Sequence, residues 1–348
     1  VSTVPLTQRQ EATSRYTPRG PLGFGGASLG NMYAGIDDAT ARATLDAAWE
    51  SGARHFDTAP VYGRGLGELR FGQALRQYPR EEYEITTKVG RIIRAEFAPG
   101  GSAVDTQGPG GHETSLFVDS LPFRVDVDYG YDAAMRSVED SMQRLGLGRL
   151  DIVYVHDLGS DHLGDAWEGH FDLAENGCFR ALRELRDQGA IGAWGLGNNV
   201  LEPPVRALRR ADPDVIQIAG RYSLLDQSAL DELFPLCAER GVRVVLGGSY
   251  NSGLLAGGPF YDYRQPPADK VAARDRIVAV CERHGVDVRA AALQFGAAHP
   301  VVSTVVPGTK HPGMARQNAE LLSAPVPAEL WDDLRAEGLL RPDAPTPA

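Results

Sequence analysis

The chain has 348 residues, 43% apolar and 23% charged, with a net charge of −11 at neutral pH. That is enough for a sizeable core, in one large domain or two ordinary ones. The negative balance speaks against a nucleic-acid partner, since phosphate affinity comes from clustered Lys and Arg, and no run of about 18 apolar residues suggests a membrane span. The polar start VSTVPLTQRQEATSR lacks the apolar stretch of a signal peptide, so a cytoplasmic protein is expected. Cys178, Cys237 and Cys281 are far apart and form no C-x-x-C pair, which indicates neither a disulfide framework nor a zinc site; buried, reduced thiols are expected.

After an N-terminal arm (1–19), short apolar runs alternate with stretches of 3.6-residue period. Strands are expected at 22–27 (LGFGGA), 53–57 (ARHFD), 83–88 (YEITTK), 151–156 (DIVYVH), 191–197 (IGAWGLG), 215–219 (VIQIA), 242–247 (VRVVLG) and 302–307 (VSTVVP). Helices are expected at 39–51, 67–76, 132–145, 177–188, 201–210, 228–240, 270–284 and 312–322. Gly stands just past a helix and just before a strand in SGAR, LGLGRLD, DQGAIG and ERGVRV. Eight strand–helix pairs predict an α/β protein with the (β/α)8 TIM barrel fold, one domain over 1–348, in preference to a doubly wound sheet. Extra helices are expected at 287–299 and 328–337, the latter in a C-terminal extension (323–348). Residues 91–130 form a Gly-rich connection after the third strand, long enough to be an active-site loop over the barrel mouth.

On such a barrel Asp57, Lys88 and His156 end the second, third and fourth strands, and Tyr62 stands in the loop after the second. All four converge on the C-terminal rim, where barrel enzymes keep their catalytic groups. Singly, each has a plain structural reading: a turn former, a packed tyrosine, a hydrogen-bonded histidine. Together they differ, because a Lys at a buried strand end is costly unless paired, and Asp57 on the neighbouring strand is the obvious partner. A nearby ammonium would favour tyrosinate at Tyr62, and His156 could hydrogen-bond the same substrate oxygen. This suits proton transfer at a carbonyl or alcohol oxygen, with a cofactor to carry the hydride.

FDTAPVYGRGLGELRFGQAL, ITTKVG, RLGLGRLDIVYVHD and VVPGTKHPGMARQNAELL resemble the aldo-keto reductases, NAD(P)-dependent barrel enzymes with an Asp, Tyr, Lys and His tetrad. GFGGASLGNMY, AGRYSLLDQSALDELFPLCAERGV, NSGLLAGG and LWDDLRAEGLL look like the branch of D-threo-aldose 1-dehydrogenases, which includes L-fucose dehydrogenases and lies close to pyridoxal 4-dehydrogenase. The resemblance implies oxidation of a sugar's anomeric hydroxyl to a lactone, with Tyr62 as the base; reduction of an aldehyde or ketone such as pyridoxal is the alternative. A small-molecule sugar or carbonyl substrate is therefore expected. Some barrels of this family are regulatory subunits, a reading the intact tetrad opposes.

The same resemblance implies a nicotinamide cofactor lying extended across the barrel mouth; GFGG is a weak match to a dinucleotide turn and is not read as one. It implies contacts from Gly25, Gly26, Asp57, Asn198 or Asn199, and Gln217. It adds Tyr250, Asn251 and Ser252 after the seventh strand, then Gly308, Thr309 and Lys310 before a helix start suited to phosphate. Gln317 and Asn318 match the pair that meets adenine. Members specific for NADP carry a basic residue near the position of Met314, so NAD is expected, with NADP left open by Lys310. Tyr250 either replaces an aromatic that stacks on the nicotinamide or packs elsewhere. No metal is expected: His112, with Glu113 and Asp105, reads as a solvated loop more readily than a cation site. Asp161, His162, Trp167 and His170 shape the substrate pocket or form an ordinary surface loop.

Overall fold

The structure is a computed structural model and describes residues 16–95 and 116–347. Its strands in chain order are β1 (Gly23–Gly25), β2 (His55–Asp57), β3 (Glu84–Val89), β4 (Arg91–Ala95), β5 (Phe123–Val127), β6 (Leu150–His156), β7 (Ile191–Asn198), β8 (Val215–Ala219), β9 (Arg243–Gly247) and β10 (Val302–Val305). Eight of them run parallel in the order β1-β2-β3-β6-β7-β8-β9-β10. Bridges from Leu22 to Val305 and from Gly25 to Gly308 close the sheet into the expected barrel. Each of the eight expected strands is present within two residues of its predicted ends.

These strands read as nearly continuous apolar runs because both faces are buried. Ile152, Tyr154, Ala193, Val215, Val245 and Val306 pack together with Tyr16 as one cluster inside the barrel, while a larger core lies between strands and helices. The period of two sorts β3 cleanly. Glu84, Thr86 and Lys88 point inward, and Ile85, Thr87 and Val89 point to the helices.

The ten expected helices are present, one of them shortened. The stretch predicted at 228–240 is a 3-10 turn (Ser228–Leu230) followed by the helix Leu233–Arg240. That start leaves Pro235 in the first turn, where a missing N–H costs nothing. Cys178, Cys237 and Cys281 are free, buried and helical, as expected. Among the described residues no helix is long and apolar enough to cross a membrane.

Two features were not foreseen. The connection 91–130 begins and ends as an antiparallel hairpin, β4 with β5, in register from Arg91↔Val127 to Ala95↔Phe123. Its later part is then tied down across the mouth: Tyr33 N donates to Leu116 O (2.7 Å), Val118 N to Asn31 O (3.1 Å) and Leu121 N to Gly63 O (3.1 Å). The second feature follows β6, where Asp161 and His162 lie in a short helix, Ser160–Leu163, and Trp167 and His170 in the helix Trp167–Asn176. Asp105, His112 and Glu113 fall outside the described residues.

Candidate active site

Register builds the site. Asp57 pairs with Thr86 across β2 and β3, so Lys88, two residues further along the inward face of β3, reaches back over the strand ends. Its ammonium donates to Asp57 Oδ1 (2.8 Å) and Oδ2 (2.9 Å) and to Thr58 O (2.8 Å). Thr86 Oγ1 also donates to Asp57 Oδ1, at 2.7 Å. Both charged side chains are almost wholly buried, 2% and 6% exposed, a state tolerable only because every formal charge has a partner. Gly26 permits the closeness of β1 here: a Cβ on it would stand 2.4 Å from Asp57 O.

The fourth contact of Lys88 is Tyr62 Oη, at 3.3 Å. Phe117, delivered by the tied-down connection, stacks on the Tyr62 ring at 5.7 Å between centroids, and the His156 ring stands edge-on to it at 6.0 Å. The structure thus brings together the four residues expected from the strand ends. Burial holds the pKa of His156 well below its ordinary value; Asp157 opposes that shift, while Lys88 and Arg91 reinforce it. His156 is therefore a neutral imidazole.

Around His156 lies a polar group the sequence reading did not assemble. Asp157 sits in the left-handed region (φ 51°), a costly conformation for a non-glycine residue. It is held there by its own N–H donating to Gly197 O (3.0 Å) and by Tyr129 Oη donating to the carbonyls of His156 and Asp157. Its Oδ2 accepts from Arg91 Nη1 (2.7 Å) and lies 3.4 Å from His156 Nε2 and 3.5 Å from His162 Nε2. The available signal was an acid placed directly after the strand-end histidine; His162 was expected as a pocket or surface-loop residue and Arg91 as the start of the long connection, and no local pattern joined either to Asp157.

These groups line one wall of a cavity of about 360 Å³ at the barrel mouth. Tyr33, Phe117 and Tyr263 give it an aromatic side. Of the residues expected to hold a cofactor, Gly25, Gly26, Asp57, Asn198, Asn199 and Gln217 line it, as do Tyr250, Ser252, Gly308, Gln317 and Asn318. Asn251, Thr309 and Lys310 are not among the lining residues: Asn251 is buried with Nδ2 toward Gly220 O, and Thr309 Oγ1 accepts from His311 N. Tyr250 reaches across to the helix Pro312–Ser323, donating to Asn318 Oδ1 at 2.8 Å. Asn198 is only 4% exposed, yet neither atom of its amide has a partner among the described residues. A buried amide left so is costly, and it fits a ligand carrying its own amide. The donor set thus suits a nicotinamide dinucleotide. Among the described residues no cluster of metal-ligating side chains is present.

Residues 21–337 match the Aldo/keto reductase family. The chain belongs to that family. It is accordingly an NAD(P)-dependent oxidoreductase. It is 42% identical to pyridoxal 4-dehydrogenase of Microbacterium luteolum, over 92% of this chain and 94% of that one. It is 38% identical to D-threo-aldose 1-dehydrogenase of a Pseudomonas species, over 94% and 95%. Among solved structures it superimposes on an aldo-keto reductase from Bacillus halodurans in its holo form, with a TM-score of 0.70, 26% identity and 92% of each chain covered.

Proposed function

We propose that this aldo/keto reductase oxidises the anomeric hydroxyl of a cyclic aldose, such as L-fucose, to the lactone with NAD as oxidant. The observation that carries the reading is the Arg91–Asp157–His162 cluster beside Tyr62 and His156. A sugar offers hydroxyls around its ring, and converging donors and acceptors are what such a ligand needs. Phe117, Tyr33 and Tyr263 supply apolar surface for the ring's C–H face. Similarity to the D-threo-aldose enzyme supports the same substrate class.

In this reading Tyr62 Oη takes the proton of the anomeric hydroxyl, and the Lys88 ammonium 3.3 Å away stabilises the phenolate that forms. Asp57 keeps that ammonium charged and in place. Neutral His156 orients the reacting oxygen by a hydrogen bond. Bound NAD supplies the acceptor for the hydride that leaves C1, so C1–H breaks as the lactone carbonyl forms. Asn198 is assigned to the carboxamide of the nicotinamide, because its buried amide has no partner among the described residues. Gln217 stands beside it. Gln317 and Asn318 then serve the adenine end.

A second reading rests on the aromatic wall and on the 42% identity to the pyridoxal enzyme. Pyridoxal closes onto its neighbouring hydroxymethyl group as a cyclic hemiacetal, so the same proton and hydride transfers would serve it. Initial rates with L-fucose, D-arabinose and pyridoxal, with NAD and NADP in both directions, separate the two. Rapid NADH formation with the sugars is expected. Turnover of pyridoxal alone would move the assignment to the second reading, and reduction of carbonyls without sugar oxidation would reverse the working direction.

A further inference from the structure

The far side of the cavity, across the barrel from Tyr62, is formed by Tyr250, Arg289, Met314, Gln317 and Asn318. Arg289 belongs to the helix Val288–Ala298, which precedes β10, and it had no place in the reading of the sequence. Among the described lining residues it is the one Lys or Arg on this side; Lys88 and Arg91 stand with the tetrad.

Each nitrogen of its guanidinium makes a contact. Nε and Nη2 form a fork on Asp287, at 3.0 Å to Oδ1 and 2.6 Å to Oδ2, and Nη1 donates to Gln317 Oε1 at 2.8 Å. Asp287 is anchored as well, since it caps the helix by accepting from Arg289 N at 2.8 Å. Arg289 hydrogen bonding holds the Asp287 carboxyl below its usual pKa, so the pair is ionised on both sides and carries no net charge. Met314, 44% exposed, adds apolar surface beside it.

We propose that the Asp287–Arg289 pair sets the choice between NAD and NADP. The proposal rests on the dinucleotide reading of this cavity, in which the nicotinamide must stand at Tyr62 and the adenosine therefore falls at Gln317 and Asn318. A 2′-phosphate arriving there would have to draw Arg289 away from its carboxylate, and would then share the site with an uncompensated Asp287. Like charges so placed are strongly unfavourable. A free 2′-hydroxyl meets no such conflict, because it can donate to Asp287 or Gln317, as acidic residues at nucleotide sites commonly arrange. Gln317 does two jobs in this arrangement: it faces the cavity and fixes the third corner of the guanidinium.

The test is the ratio of dissociation constants for NADPH and NADH, read from the fluorescence change on binding, with no turnover involved. Asp287→Asn is the informative variant because Asn caps a helix as well as Asp does. The wild-type protein is expected to bind NADH more tightly. In Asp287→Asn the freed guanidinium faces the phosphate, and the NADPH/NADH ratio is expected to fall about tenfold. Adding Arg289→Leu should restore the wild-type ratio. A ratio unmoved by Asp287→Asn, or a gain that survives removal of Arg289, overturns the proposal while leaving the cavity a dinucleotide site. Failure of the wild-type protein to bind either coenzyme sinks the dinucleotide reading, and the pair's role with it.

Discussion

The two ends of the same strand pair carry the same three kinds of side chain. At the mouth stand Asp57, Lys88 and Tyr62; at the floor stand Glu84, His55 and Tyr16. The floor set is as well buried as the mouth set, with Glu84 Oε2 accepting from Tyr16 Oη at 2.9 Å and lying 3.0 Å from His55 Nδ1. The difference is the neighbour of each tyrosine. Tyr16 faces a carboxylate, and burial together with Glu84 raises its pKa well above the ordinary value, so its proton stays put. Tyr62 faces an ammonium, which favours the phenolate, and its ring opens on a ligand-sized cavity. A buried acid, base and tyrosine are thus no signature of catalysis in themselves. The floor set, too, borders a cavity, lined by Tyr16 and Glu84, so what separates the two is the sign of the charge at the phenol.

The largest expected effect tests that contrast directly. Tyr62→Phe should lower kcat about 1,000-fold while leaving the dissociation constant for NADH within about twofold. Tyr16→Phe should keep kcat and lose only about 1 kcal/mol of stability, seen as a lower urea midpoint. Equal losses of turnover in the two variants would break the comparison. Next in size, Lys88→Met strands a buried carboxylate and should cost about 3–5 kcal/mol in urea unfolding, with turnover lost as well. Glu84→Gln removes a charge that Tyr16 and His55 share, and is expected to cost about 1–3 kcal/mol with kcat/KM retained. Asp157→Asn should then reduce kcat/KM for a sugar roughly 10- to 100-fold, mostly through KM, because it unhooks Arg91 and His162 together. A normal KM in that variant would show that this wall does not hold the substrate.

The smallest effect concerns pH. His156 is depressed below its ordinary value of 6.5 by burial, and His299, half-buried against Tyr222 and Phe234, is depressed to about 4. The unfolded chain therefore takes up these protons first. Stability from both groups is complete above pH 6.5 and is lost as pH falls toward the folded values. For His299, partly screened by solvent, the loss is about 2 kcal/mol by acid unfolding, and His299→Leu should remove that share. In the same pH range kcat/KM should show no limb from His156, since its imidazole is already neutral.

Several of these side chains were legible before the fold was known. Asp57, Lys88 and His156 stand at the ends of runs whose period marks them as strands, and Tyr62 follows by a fixed short loop. Asn198 stood apart from Asn199 only once its amide was seen to be buried and without a partner among the described residues. The β4–β5 hairpin escaped because RIIRA and FRVDV are rich in charge; it pairs through cross-strand contacts such as Arg94 with Asp126, across an interval that no local pattern spans. The helices after β6 escaped because their short runs lack a clear apolar period.

By itself the sequence determined the barrel, the order of its strands and the four residues at the mouth, because local periodicity marks each strand and its end, and a parallel barrel brings those ends to one rim. Tertiary structure alone decided that Tyr16, from the N-terminal arm, meets Glu84 and His55 in a second acid–base–tyrosine set at the floor. It also decided that Asp157 gathers Arg91 and His162, and that Asp287 neutralises Arg289 beside Gln317. Those outcomes depend on charges from separate elements meeting within hydrogen-bond reach, and their energies exist only once the chain has closed on itself.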